Sequence, residues 1–208
     1  MINEDKIKQL GQITKYSTFG KKIFELVSHP EVKNILEIGT TWGVGSTLCI
    51  LEGIMGKKDF KVISLECRKE RVDQAIKNLL VIPLNNFDIV YGTITTYEEL
   101  NELVKEFPES PLREWIKEDL VYLKNAPYVF DKLPDKLDFV LIDGGEFSGW
   151  IEFNKLWERS RFIALDDTES YKHSRSKQFI LDNPDKFKIL YEDIIERTNG
   201  ALICENLT

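Results

Sequence analysis

The sequence predicts a single-domain, doubly wound α/β fold. Three observations carry that reading. Short apolar runs alternate with amphipathic helical patterns, a glycine-bearing turn joins the first run to its helix, and acids close the second, fourth and fifth runs at Glu66, Asp143 and Asp166.

The expected strands are 34–39 (NILEIG), 61–66 (KVISLE), 87–91 (FDIVY), 138–143 (DFVLID) and 162–166 (FIALD). They are rich in Ile, Val, Leu and Phe at consecutive positions, as strands covered by helices on both faces should be. Helical patterns fall between them at 45–55, 69–80, 96–106 and 148–158. Two helical segments are expected within residues 1–32, the second over 18–28 and ending at Pro30. After the fifth strand come a helix over 174–182 and strands over 187–192 and 201–205. Asn199-Gly200 is a turn signal that makes these two strands a hairpin, so the sheet is expected to be mixed. Residues 107–136 are too many for one connecting helix and form an insertion. Ser110 and Pro111 suit its N-cap and first turn, and Leu112, Trp115, Ile116, Leu120 and Leu123 recur at helical spacing. It is either a helix packed on the sheet or a lid over a substrate.

The 208 residues are 42% hydrophobic and 30% charged, with net charge −7 and no block of Lys or Arg. That balance argues against a general nucleic-acid binder, which needs a basic face. No apolar run approaches the roughly 20 residues that span a bilayer, and the start of the chain lacks an apolar signal core. Three cysteines without CxxC spacing point to reduced thiols. A cytoplasmic protein with no membrane partner is the expectation. Oligomeric state is left open, a homodimer being one option.

"NILEIGTTWGVGST" is the most informative stretch. Glycines after a buried strand allow a tight turn and close approach of a ligand. Glu66 closes the next strand about 20 residues beyond Gly45, where dinucleotide folds place an acid against ribose hydroxyls. A nucleoside-bearing ligand follows. The spacing E-x-G-x-x-x-G-x-G differs from the G-x-G-x-x-G that seats a pyrophosphate, and Glu37 suits a ligand carrying positive charge.

On these residues the chain resembles class I S-adenosylmethionine (SAM)-dependent methyltransferases, in particular their small-molecule O-methyltransferase-like branch. The motif order covers about residues 33–206. The resemblance implies a Rossmann-like, seven-stranded sheet, mostly parallel, with an antiparallel C-terminal strand. It implies that Gly39 and Gly43, with Thr40 counted beside them, line the methionine part of SAM. Glu66 would bind the ribose hydroxyls, and Gly92 and Thr93 would flank the adenine. Glu37 would act more indirectly or hold the loop. Cys67 either touches the adenine or is a buried structural thiol, and Trp42 either caps the ligand or packs on a helix.

Asp143 and the pair Asp166-Asp167 end neighbouring strands, so three carboxylates should meet at one sheet edge. Ionised together they repel, and a hard divalent cation such as Mg²⁺ would offset that. Metal-dependent O-methyltransferases place acids at these positions, which makes Asp143, Asp166 and Asp167 the candidate metal ligands. The alternative is that they hold the SAM ammonium and the loop backbone. Asp143 is followed by Gly-Gly-Glu, without the lysine of catechol-type enzymes, so Glu146 is a candidate ligand or base. His173 is the leading base candidate; His29, before Pro30, is structural. Lys172, Arg175 and Lys177 cluster at a helix start, which suggests either an anion to meet or a solvated positive face.

The reading is a SAM-dependent methyltransferase acting on a hydroxyl of a small acceptor, sugar-like or phenolic, with Asp143, His173 and Glu146 as catalytic residues. An NAD(P)-dependent oxidoreductase and a non-catalytic nucleoside-binding module are the competing readings.

Overall fold

The computed structural model describes residues 13–80, 85–106 and 113–208. Its strands are β1 (Asn34–Ile38), β2 (Lys61–Glu66), β3 (Phe87–Tyr91), β4 (Leu137–Ile142), β5 (Ser160–Asp166), β6 (Phe187–Asp193) and β7 (Ala201–Asn206). They form one seven-stranded sheet in the order β3-β2-β1-β4-β5-β7-β6. The pairs among β1 to β5 are parallel, and β7 runs antiparallel to both β5 and β6. The terminal hairpin therefore folds back so that its second strand, β7, lies beside β5 and its first, β6, forms the edge of the sheet. The fold class is as the sequence predicts.

The helices are α1 (Thr18–Ser28), α2 (Ser46–Ile54), α3 (Lys69–Leu79), α4 (Tyr97–Leu103), α5 (Arg113–Asn125), α6 (Gly149–Leu156) and α7 (Ser174–Leu181). The helical segment expected ahead of α1 and the cap at Ser110 and Pro111 fall on residues outside the described ones. Two expected helices end early, in single 3₁₀ turns at Val104–Glu106 and Trp157–Arg159. Thr96 starts α4 through a capping box, accepting from Glu99 N while the Glu99 carboxylate accepts from Thr96 N.

Alternation along the central strands builds two cores. On β4, Phe139 and Leu141 face α1 and α2, joining Phe19, Ile23, Ile50 and Ile54. Val140 and Ile142 face the other way, joining Phe153, Leu156 and Ile180 of α6 and α7. All four β4 residues are fully or nearly fully buried, which is why the strand reads as a continuous apolar run. The edge strand β6 leaves Ile189 and Leu190 exposed.

A third cluster seats the insertion: Ile116 and Leu123 of α5 pack with Leu100 and Phe147. Behind α5, Thr93 N donates to Pro127 O (2.9 Å) and Val129 N donates to Thr93 O (3.0 Å). The insertion is thereby bonded to the turn that follows β3. Among the described residues no helix is long and apolar enough to cross a membrane.

Candidate functional site

The neighbours of β1 are β2 and β4, so the chain order reverses at its carboxyl end. Open α/β sheets have a crevice at such a switch point. The backbone there is tightly constrained. Gly39 has φ +99°, and a Cβ on it would lie 2.1 Å from Asp143 O, so only glycine lets the ends of β1 and β4 approach. Gly43 has φ +70° and faces Leu79 of α3.

Two cavities open on either side of this turn. The larger, about 310 Å³, is lined by Gly39, Glu66, Cys67, Gly92, Thr93 and Asp143, and by Trp115 and Asp119 of α5. The second, about 300 Å³, is lined by Thr40, Trp42, Asp167 and Lys172. Both share Gly39, Thr41, Arg71, Asp143 and Gly144. A ligand laid across the turn would have one end in each.

Glu66 closes β2 with its carboxylate in the larger cavity. Its Oε2 accepts from Thr41 N and its Oε1 from Arg68 N, both at 2.9 Å. Burial raises its pKa despite those bonds. Cys67 stands beside it, its thiol pushed up to about 12 by burial and by the Glu66 charge. Two residues lining this space each carry a buried acceptor with no hydrogen-bond partner: Asp119 Oδ2 and Glu152 Oε2. Such orphaned oxygens call for donors from a ligand or water. Burial pushes Glu152 up to about 7. The cavity, its acid and these unmet acceptors fit a nucleoside-bearing cofactor.

Glu37 works differently. It is completely buried and borders neither cavity. Ser46 Oγ donates to its Oε1 (2.6 Å), and Thr47 Oγ1 donates to its Oε2 (2.8 Å), as does Ser64 Oγ (2.5 Å). The carboxylate thus ties β1 to the start of α2 and to β2, with burial raising its pKa to about 7. It holds the glycine loop and does not face a ligand. Thr40, hydrogen-bonded to Ser64 through their hydroxyls (2.6 Å), lines the second cavity. Trp42 also lines it, with the Arg71 guanidinium 5.7 Å from its ring centroid.

Asp143, Asp166 and Asp167 do converge, with ligand atoms within 4.8 Å of one another. What lies among them is Lys172. Its Nζ is 2.7 Å from Asp143 Oδ1 and 2.8 Å from Asp167 Oδ2, and the residue is 6% exposed. Arg197 Nη2 donates to Asp166 Oδ2 at 2.7 Å. The repulsion that the sequence suggested a divalent ion would offset is met by these two side chains. Flanking carboxylates raise the Lys172 pKa in spite of burial, so it stays an ammonium. Asp166 is 1% exposed, its pKa raised by burial and by Asp143 and Asp167, and it borders neither cavity. Asp167 adopts φ +57°, a left-handed conformation that Asp enters more readily than most residues with a Cβ, and its carboxylate meets Lys172. Lys172 holds one oxygen each of Asp143 and Asp167, so a divalent ion would have to share those carboxylates with an ammonium.

His173 requires a correction. The sequence suggested a loop residue able to reach a substrate; the structure buries it completely at the N-cap of α7. Its Nε2 lies 3.1 Å from Ile142 O and its Nδ1 3.3 Å from Ser176 Oγ. Burial and the Lys172 charge push its pKa down to about 3. The ring borders neither cavity. Glu146 does border the larger one, half-buried, with its pKa raised by burial.

The insertion is a wall of the larger cavity. Arg68, next to the Glu66 loop, pairs with Glu118 (3.1 Å) and stacks 4.1 Å from the Tyr122 ring centroid. Sequence reasoning missed Asp119, Glu152, Arg71 and Arg197. Of these only Glu152 carried a signal, as an acid within the apolar pattern "WIEFNKL".

No protein-family model matches this sequence, and no curated protein matches it. Solved structures do. An O-methyltransferase from Bacillus cereus in complex with S-adenosylhomocysteine (SAH) superposes with TM-score 0.62 at 18% identity, over 97% of this chain and 89% of that one. Cofactor-bound Rv0187 from MTB gives 0.63 at 16%, over 97% and 85%. The O-methyltransferase TomG from Streptomyces achromogenes, in complex with SAM and involved in tomaymycin synthesis, gives 0.57 at 14%, over 91% and 79%. This chain has their fold. It is the Rossmann-like fold of these O-methyltransferases, with β7 as its antiparallel C-terminal strand.

Proposed function

We propose that this protein is a SAM-dependent methyltransferase acting on a hydroxyl group of a small acceptor. The observation that carries the reading is the pair of cavities joined at Gly39 and Asp143, with the Glu66 carboxylate in one and Lys172 and Asp167 in the other. SAM supplies an electrophilic methyl on a sulfonium. Glu66 would hold the ribose hydroxyls, while Asp119 and Glu152 accept from polar hydrogens deeper in the same cavity. Gly39 to Thr41 would carry the methionine end across the turn, with the Asp143 carboxylate near the positive sulfur. The acceptor would enter the second cavity, between Trp42 and Lys172. The reading favours a compact acceptor, sugar-like or phenolic, because that cavity is about 300 Å³ and lined by polar groups.

Methyl transfer of this kind needs in-line placement at roughly 3–3.5 Å and an acceptor oxygen that sheds its proton as the bond forms. Walls on both sides of the turn supply the placement. Asp143 and Asp167 are the carboxylates that border the second cavity, and Glu146 is one of several acids that border the first.

Isothermal titration with SAM, SAH and NAD tests the cofactor. SAM and SAH should bind with one site and NAD should not. Tight NAD binding without response to SAM would make the protein an oxidoreductase. Transfer of labelled methyl to a panel of sugars and phenols then tests the reaction; SAM binding with no transfer to any acceptor would favour a binding module.

A further inference from the structure

We propose that Lys172 is a built-in cation that takes the place of a divalent metal in this site and meets the acceptor oxygen. This rests on the methyltransferase reading for the acceptor, but not for the refusal of metal. Three observations carry it. The ammonium is within hydrogen-bond distance of Asp143 Oδ1 and Asp167 Oδ2, the two acids of the cluster that border a cavity. It is nearly buried and itself lines that cavity. The third acid, Asp166, has its own counter-charge, its Oδ2 accepting from Arg197 at 2.7 Å.

An ammonium has three N–H donors and no acceptor. Two serve the carboxylates, which leaves one for a ligand in the cavity. A divalent ion among these acids would have to share two carboxylates with Lys172 and would sit against a like charge. The lysine supplies what the ion would: positive charge beside an oxygen that becomes more negative as its proton leaves. In the transfer step, the S–CH₃ bond breaks and its electron pair stays on sulfur, giving neutral SAH. The O–CH₃ bond forms from an oxygen lone pair. The O–H proton passes to the Asp167 carboxylate, and Lys172 remains an ammonium throughout.

The test uses the full chain and Mn²⁺ followed by electron paramagnetic resonance. Wild type should leave the free-ion signal undiminished. Lys172→Ala, which removes the ammonium and opens its volume, should bind about one equivalent of Mn²⁺ through hard oxygen ligands. Lys172→Ala/Asp167→Asn should lose that binding. One equivalent bound by wild type and lost in Asp167→Asn would overturn the proposal, as would a folded Lys172→Ala that takes up no ion. Should Lys172→Ala not be recovered folded, the melting temperature of wild type with Mg²⁺ or with chelator decides. An unchanged value supports the proposal, and a rise with Mg²⁺ that Asp167→Asn abolishes overturns it. Calorimetry with SAM on the same wild-type protein reads the cofactor assignment separately. Metal refusal without SAM binding would sink the methyltransferase reading and leave the cation assignment standing.

Discussion

Lys172 and Asp143 meet at 2.7 Å across the carboxyl edge of the sheet, one from the loop before α7 and the other from the end of β4. The contact joins a cation and an anion that are both largely withdrawn from water. It sets the electrostatics of the second cavity and predicts how the protein responds to loss of either partner.

Lys172→Met should cost about 3–5 kcal/mol of stability, because it strands Asp143 and Asp167 without their counter-charge. Urea unfolding measures it. A loss under about 1 kcal/mol would mean the pair is hydrated in solution and worth no more than a surface bridge.

Glu66→Ala should weaken SAM binding roughly 10–100-fold, the value of losing charge-assisted hydrogen bonds to a diol. Calorimetry on protein whose circular dichroism is unchanged is the check. Unaltered affinity would remove Glu66 from the cofactor site.

For His173, the Ile142 carbonyl accepts from Nε2 and fixes the tautomer, while burial and the Lys172 charge hold the ring neutral. Its folded pKa of about 3 lies below the ordinary 6.5, so the unfolded chain binds the extra proton first. Stability from this group is complete above pH 6.5 and is lost as pH falls toward 3, at up to roughly 1.4 kcal/mol per pH unit. His173→Gln should flatten that limb of the stability profile. It should leave the pH dependence of turnover in the folded fraction unshifted, whereas a catalytic base would move it.

Glu152 carries the opposite sign. Its folded pKa, about 7, lies above the ordinary 4.5, so the folded state holds the extra proton between those values. Its contribution is greatest below pH 4.5 and is lost as pH rises through 7. Glu152→Gln should therefore gain stability relative to wild type across pH 5–7, by up to roughly 1.4 kcal/mol per unit. A constant difference between the two proteins over that range would show that Glu152 is not buried in its acid form. Bound SAM should narrow the gap if a ligand donor meets Glu152 Oε2.

Arg68→Ala should loosen the insertion from the Glu66 loop, since it removes both the Glu118 pair and the Tyr122 stack. The expected result is faster proteolysis within residues 113–125 and a several-fold weaker SAM affinity, with global stability changed by no more than about 1–2 kcal/mol. Proteolysis at the wild-type rate would mean the cluster of Leu100, Ile116, Leu123 and Phe147 holds the wall alone.

Much of this protein was determined by its sequence alone. Continuous apolar runs specify strands buried on both faces, glycine at position 39 permits a backbone approach no other residue allows, and period and spacing bring Glu66, Asp143 and Asp167 to one edge. These are local rules, readable because each depends on a few neighbours in the chain. Which charges neutralise one another was decided only by the tertiary structure. Lys172 looks like one of three cations at a helix start, yet it is drawn inside while Arg175 pairs with Glu106 at the exposed surface. His173 and Glu37 likewise look like candidates for chemistry until the fold surrounds them with backbone and hydroxyl partners. Burial and partner choice arise from elements distant in sequence, and they set whether a titratable group meets a ligand or the protein's own interior.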